Sequence, residues 1–494
     1  MTRIHRLARA TACAAGAALA VGCADLELTN PNQQTTDTFW RSESDARQGM
    51  TAVYNGLLAN GTYGRWLAFA HDIRSDIGFS PSPWADLSNF NKFTLVDFDF
   101  EVNREIWQHH YAAIFRANQV VADVPRIEMD TTLRARLVGE ARFVRALLYF
   151  NLLNLYGGNI PMPLQPPAIA DRPASAGDTT VWRQIEADLR AAAPVLPAAY
   201  TGADIGRATS GAAEALLGKV LLQQRKWAGA DSVLSLVVAS GRYALVPNYQ
   251  DNFTALAENN RESVFEVQFG DRTQLANGVR GLNIAKMVGP CGPSFCDGRP
   301  TPWYFNQFLA ESTSTGGVDP RLDVTIFYNK PGGMDVYGRS FQARYGAAST
   351  DLFFRKYGEF YIPGEQDWDA AINFRVIRYA DVLLMLAEAR NELGRTAEAL
   401  PLLNLVRARV TMPAVPAGLS VAAMRTRLLR ERLLEFGLEQ QRLLDLKRQN
   451  LLTAALVSND AEFSFFVPNK SELLPIPVTE TNLNPNVQQN PGWR

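Results

Sequence analysis

The sequence predicts a mainly α fold, a scaffold of stacked helix pairs with loop-rich segments inserted between them and a few short β-strands. Three observations carry this. The stretch Glu140–Pro163, EARFVRALLYFNLLNLYGGNIPMP, continues an apolar face that runs through Leu137, Ala141, Val144, Leu148, Leu152 and Leu155 in steps of three and four. Gly211–Ser240 and Phe374–Arg409 each read as a helical hairpin. By contrast, Gly61–Phe100 and Asp271–Asn373 lose helical periodicity and gather Gly, Pro and aromatic residues.

Residues 1–22 read as a signal peptide. Arg3, Arg6 and Arg9 precede the small-residue apolar run Ala10–Val21, which is too short to span a bilayer, where roughly 20 residues are needed. The run ends at Ala20-Val21-Gly22-Cys23, which resembles a bacterial lipoprotein cleavage box with Cys23 as the acylated residue. Residues 23–38 then form a polar tether, in which Asp25 and Glu27 resemble an acidic surface-export signal.

The helical region 39–270 follows. Ser44–Asn60 is amphipathic, and the irregular segment 61–100 carries Tyr63, Trp66, Pro81, Pro83 and Trp84. Asp97, Asp99 and Glu101 alternate with aromatics, which fits a strand edge. Glu105–Val124 is helical and leads into the Glu140 helix, which Asp130 or Thr131 can cap and Gly157-Gly158 can stop. Around that helix only Arg142, Arg145 and Tyr149 form a polar strip. Val181–Ala193 is a further helix, and SVFEVQF at Ser263 alternates as a strand. Region 271–373 reads as a loop-rich, ligand-binding insertion with short strands at most, and region 374–494 as helical repeats ending in an extended tail.

The two hairpins share a register. Ala228, Ala230, Val233, Leu234 and Val237 match Ala397, Ala399, Leu402, Leu403 and Val406 at a constant offset. This is the spacing of tetratricopeptide helix pairs, in which small residues let neighbouring helices approach closely. Such pairs cannot bury their faces alone, so several must stack.

Composition narrows the function. With 47% hydrophobic and 20% charged residues the chain is ordinary for a globular protein. A net charge of −1 gives no general attraction to nucleic acid. Cys291 and Cys296, in the loop GPCGPSFCDGRP, suit a short disulfide in an oxidising compartment. A metal site there would need further ligands, and no His lies nearby in sequence. The chain lacks H-E-x-x-H, G-x-S-x-G and a P-loop, and His109-His110 diverge by about 100° on a helix. No enzyme activity, cofactor or metal is expected.

In their common order, several motifs resemble the SusD/RagB family of surface lipoproteins. They are the lipobox at Cys23, NPNQQTTDTFW at Asn30, EARFVRALLYFNLLNLYGG at Glu140, VWRQIEADLRAAAPVLP at Val181 and GRATSGAAEALLGKVLL at Gly206. DPRLD at Asp319, IRYADVLLMLAEARNELG at Ile377 and LLPIPVTETNLNPNVQQNPGW at Leu473 complete the series. One departure stands in RERLLEFGLEQQRLLDLKR (Arg430–Arg448), where Gln440 replaces the family's Gly in a stretch read as helical. Ion pairing accounts for the charges of that stretch, Glu435, Glu439, Arg442 and Asp445 among them.

The resemblance implies a tetratricopeptide-like scaffold at the outer face of the outer membrane. It also implies a lipid anchor, an oligosaccharide or peptide ligand, and a SusC-like TonB-dependent transporter as partner. A sugar has an apolar CH face and a polar edge, so aromatic rings beside amides and carboxylates suit it. The candidates are Trp84 with Asn89 and Asn91, and Trp303 with Tyr304, followed by Tyr63, Trp66, Asp76 and Trp368. Trp107, Trp182 and Trp227 lie in helical pattern and read as packing. A tetratricopeptide-type adaptor that binds a protein partner is the alternative.

Overall fold

The computed structural model describes residues 39–168, 170–270, 280–459, 463 and 465–493. The signal peptide, Cys23 and the tether therefore lie outside the described residues.

Ten helices build the scaffold described here: α1 Glu43–Asn55, α2 Glu101–Asp123, α3 Thr131–Tyr156, α4 Asp178–Ala192, α5 Ser210–Gln223, α6 Trp227–Ala239, α7 Tyr379–Glu392, α8 Thr396–Arg409, α9 Val421–Glu435 and α10 Arg442–Arg448. From α2 to α9 each helix packs on its successor in the chain, so the row runs through both halves of the sequence. At its centre, α3 is 26 residues long, or roughly 39 Å at ~1.5 Å per residue. The Asp130 carboxylate accepts a hydrogen bond from the Leu133 amide (2.7 Å) at its start, and Gly157, at φ +68°, ends it.

The polar strip read on α3 is not a solvent face. Tyr149 is buried and donates to the Pro163 carbonyl, while buried Arg145 forms a fork on Asp188 of α4 at 2.7 and 2.8 Å. The strip clamps α3 to its neighbours.

The two hairpins, α5–α6 and α7–α8, keep the register read from the sequence. Ala230, Leu234 and Val237 are buried in one, and Ala399, Leu403 and Val406 in the other. A Cβ on Gly218 would come within 2.4 Å of the Leu234 side chain, so α5 and α6 approach as closely as small residues allow. The hairpins stack through α6 and α7.

Among the described residues, eight short strands form four antiparallel pairs: β1 (Gly78–Phe79) with β3 (Arg299–Pro300), β2 (Ser263–Val267) with β8 (Phe374–Arg378), β4 (Ile326–Phe327) with β7 (Phe353–Phe354), and β5 (Asp335–Val336) with β6 (Arg339–Ser340). The β2–β8 pair joins the start of the second hairpin to the strand that follows the first. Phe327, Met334, Val336, Tyr337, Phe341 and Phe353 make a small second core inside the insertion.

Three expectations need correction. The insertion holds short helices as well as strands, at Ile284–Val288, Pro302–Leu309, Arg321–Thr325 and Phe341–Tyr345. Segment 61–100 is partly helical, with tight turns from Asn60 to Ile73 and a helix at Ala85–Asn91. Asp97 and Asp99 form no strand; the Asp97 carboxylate accepts from the Asp99 amide (2.9 Å) in a turn into α2, and the Asp99 carboxylate accepts from the amide (3.2 Å) and hydroxyl (2.8 Å) of Thr479 in the tail.

The stretch Leu428–Arg448 is also not one helix. It breaks between α9 and α10, where Leu438 and Gln440 adopt φ +63° and +62°. A left-handed backbone explains why glycine suits the Gln440 position. The break is the hub of a buried ion web. Arg378 contacts Glu262 (2.5 Å), Glu435 (3.0 Å) and Glu439 (2.7 Å). Arg321 contacts Asp319 (2.7 Å), Glu431 (2.6 Å) and Glu435 (3.1 Å), and Lys356 contacts Glu439 (2.8 Å). Arg321 and Lys356 belong to the insertion, so these pairs lock it to the scaffold.

Candidate functional site

Segment 61–100, the disulfide loop and the turn at residues 367–370 meet in a band of rings and cations. Arg65 is its middle member. Its guanidinium lies over the Trp66 ring at 4.7 Å and over the Trp368 ring at 4.6 Å, a double cation–π contact. Beyond Trp66 comes Trp84, with ring centroids 6.2 Å apart, and Trp84 also meets Phe100 edge-on at 5.0 Å. Beyond Trp368 comes Phe295 at 5.7 Å, itself beneath the Lys286 ammonium at 5.4 Å. Trp84 is 37% exposed and Phe295 51%, whereas Trp66 is wholly buried. The outer rings are therefore open to solvent and the inner one carries them.

Local chemistry fixes each member. The Trp66 indole N–H donates to Glu105 of α2 at 2.7 Å, which pins that ring to the first turns of the helix. The Asn283 amide donates to the Trp368 carbonyl at 2.6 Å, and its backbone N–H donates to the Gly64 carbonyl at 3.1 Å, so one residue ties two segments together. Phe295 sits between Cys291 and Cys296, which form the disulfide expected from the sequence. The loop is held further by hydrogen bonds from the Phe295 amide to the Lys286 carbonyl (2.9 Å) and from the Lys286 ammonium to the Pro293 carbonyl (3.0 Å).

The sequence-derived candidates separate into two groups. Trp84, Asn89, Trp303 and Trp368 reach the surface at least in part. Trp303 sits at the start of the Pro302–Leu309 helix, and no ring contact joins it to the band among the described residues. The Asn89 side chain accepts from the Thr94 hydroxyl at 3.1 Å.

Five other candidates are interior, which corrects their reading as ligand contacts. Tyr63 accepts from Asn151 at 3.1 Å and packs on Phe374. Asp76 grips Arg442 with both oxygens at 2.7 Å. Asn91 binds the Ser80 amide (2.8 Å) and the Ile73 carbonyl. Tyr304 is buried against Gly437, whose Cβ, if present, would fall 1.9 Å from the hydroxyl. Trp66 lies beneath Arg65. Arg65 and Phe295 were missed; the signal for Phe295 was its place between two cysteines, and Arg65 had none beyond its neighbour Trp66.

Clefts lie elsewhere in the molecule. Clefts of about 400 and 410 Å³ adjoin at Gly206 and Arg207, and a groove of about 460 Å³ runs between Trp107, Tyr111 and Pro161. Their polar walls are engaged internally: Arg207 donates to Glu140 (2.9 Å), the Ala208 amide to Tyr54 (2.9 Å), and Tyr111 to the Pro161 carbonyl (2.7 Å). The band, with open rings and a cation free of hydrogen bonds among the described residues, is the better candidate.

Comparison with known proteins agrees with this architecture. The model of the SusD family matches residues 261–493, and a model described as "Starch-binding associating with outer membrane" matches residues 26–222. A laminarin-binding SusD-like protein of known structure is 30% identical, with 92% of this chain and all of that chain covered and a TM-score of 0.76. The chain belongs to the SusD family. A SusD superfamily protein from Bacteroides vulgatus superposes with a TM-score of 0.83 at 26% identity, covering 92% of this chain and 100% of that one. The SusD-like protein P25 of Formosa agariphila is 26% identical over 93% of this chain and 94% of its own length. The SusD fold thus accounts for the helical row, and the motifs at Glu140, Val181, Gly206 and Ile377 fall along it in the expected order.

Proposed function

We propose that this SusD-family protein captures an oligosaccharide at the outer surface of the outer membrane and passes it to a SusC-like TonB-dependent transporter, without catalysing a reaction on it. The observation that carries the reading is the gathering of Trp84, Trp368 and Phe295 from three distant segments into one chain of ring and cation contacts with solvent-open ends. Ring faces stack on the CH faces of sugars, and the scaffold holds them in place before ligand arrives. The laminarin-binding relative supports a glycan as ligand. Anchoring falls to Cys23, whose acylation would keep the face outside the cell.

Isothermal titration of the mature protein against a panel of oligosaccharides and peptides tests capture. Binding of one glycan class, weakened by Trp84→Ala and by Trp368→Ala with melting unchanged, is the expected result. Binding of peptides alone, or of nothing, would overturn the reading. Delivery is tested by co-purification with the transporter from outer membranes, and anchoring by loss of membrane association in Cys23→Ala.

A further inference from the structure

Arg65 differs from the arginines of the buried ion pairs in its partners. Arg321, Arg378 and Arg432 are each ringed by carboxylates at hydrogen-bond distance. The Arg65 guanidinium makes no hydrogen bond or ion pair among the described residues, and its Nε is buried without a partner. It lies over the Trp66 ring at 4.7 Å and over the Trp368 ring at 4.6 Å. A desolvated donor without an acceptor, as Nε is, is costly unless something supplies one, and the terminal N–H groups have no acceptor among the described residues.

The surrounding charge says what can supply it. Burial pulls the Arg65 guanidinium below its ordinary range, and Glu105, which holds the Trp66 indole N–H at 2.7 Å, together with Glu101 and Asp369 pushes it back up, so three carboxylates act on one cation. Lys286 contributes little, since Glu365 lies 3.6 Å from it. An anionic sugar would gain one guanidinium and meet three like charges. A cationic ligand fares no better over the inner rings, because Arg65 already occupies the cation–π position between Trp66 and Trp368. A hydroxyl both donates and accepts, so it can take hydrogen bonds from Arg65 and give them to the neighbouring carboxylates.

We infer that the ligand is an uncharged oligosaccharide, and that Arg65 binds its hydroxyls while Trp84, Trp368 and Phe295 stack its rings; this rests on the capture function proposed above. Arg65 is then a specificity-determining residue, because its donors and the neighbouring carboxylates together reject charged glycans.

The test uses the mature protein in calorimetric titrations with a neutral β-glucan oligosaccharide, a neutral α-glucan oligosaccharide, and carboxymethylated forms of both. The neutral form that binds should do so at least tenfold more tightly than its carboxymethylated counterpart. Arg65→Lys should weaken it severalfold and Arg65→Gln further. Glu101→Gln combined with Asp369→Asn should narrow the neutral-to-acidic ratio severalfold, and this pair keeps the test decisive if Arg65→Gln folds poorly. Equal or tighter binding of the carboxymethylated form, or wild-type affinity in a folded Arg65→Gln, overturns the inference while leaving glycan capture standing. Failure of every glycan, charged or neutral, overturns the capture reading and this inference with it.

Discussion

Two regions of the molecule use the same residue types for opposite ends. In the ion web at the α9–α10 break, arginine meets carboxylates supplied from within the protein. In the aromatic band, arginine meets indoles, and its donors are left unanswered. Burying charge is costly unless it is paired, so the paired set holds the architecture together, and the unpaired arginine is the one with donors to offer a ligand. The difference also has a spatial logic. The web locks the insertion onto the helical row, and the band lies where the insertion meets segment 61–100, so the first region holds the second in place.

The contrast can be broken most severely in the web. Arg378→Ala leaves Glu262, Glu435 and Glu439 buried without their shared cation, and we expect a loss of about 3–5 kcal/mol, measured by urea denaturation. Arg65→Gln, by comparison, should change stability little. Equal losses would erase the distinction between the two arginines.

Acid should weaken the buried ion pairs, among them Asp381 with Lys219 and Arg432. Burial pushes the Asp381 carboxyl up, but Lys219 and Arg432 outweigh it and hold the group at about 2. Its unfolded value is about 3.9, so Asp381 contributes stability that is present above pH ~4 and is lost as the pH falls towards 2, roughly 2 kcal/mol in all. Asp72 has the opposite sign. Burial raises it to about 7, partly offset by the backbone amide of Gln440 at 2.6 Å, so its contribution falls as the pH rises from about 4 to 7. Denaturation curves at several pH values, with Asp381→Asn and Asp72→Asn, should show each slope vanish separately.

Smaller effects sharpen the same comparison. Trp368→Ala should cost about 1.5 kcal/mol of binding, roughly tenfold in affinity by titration, with less change in folding than any web variant. Gln440→Gly should be neutral or stabilising by up to about 1 kcal/mol, because it relieves a left-handed backbone and removes an amide whose Nε2 is buried without a partner. A thermal melt reads it directly.

The sequence carried the helical row well, because periodicity and caps are local. The shared register of the hairpins, the stop at Gly157 and the disulfide loop were all legible for that reason. Depth within the loops was not. Tyr63, Trp66 and Tyr304 look like surface aromatics in a Gly- and Pro-rich setting, yet their partners Asn151, Glu105 and Gly437 are far away in the chain. Nor could spacing show that Arg145 and Tyr149 would be clamped by α4 and by the proline segment rather than by water. The break at Gln440 was hidden because the residue that reveals it, a glycine, is missing here.

The most direct measurement is calorimetric titration of wild type and of a Trp84→Ala/Trp368→Ala double variant with neutral oligosaccharides, with thermal melts run in parallel. We expect binding in the wild type, a loss of at least tenfold in the double variant, and closely similar melting temperatures. A folded double variant that binds a glycan as tightly as wild type would contradict the assignment of this face.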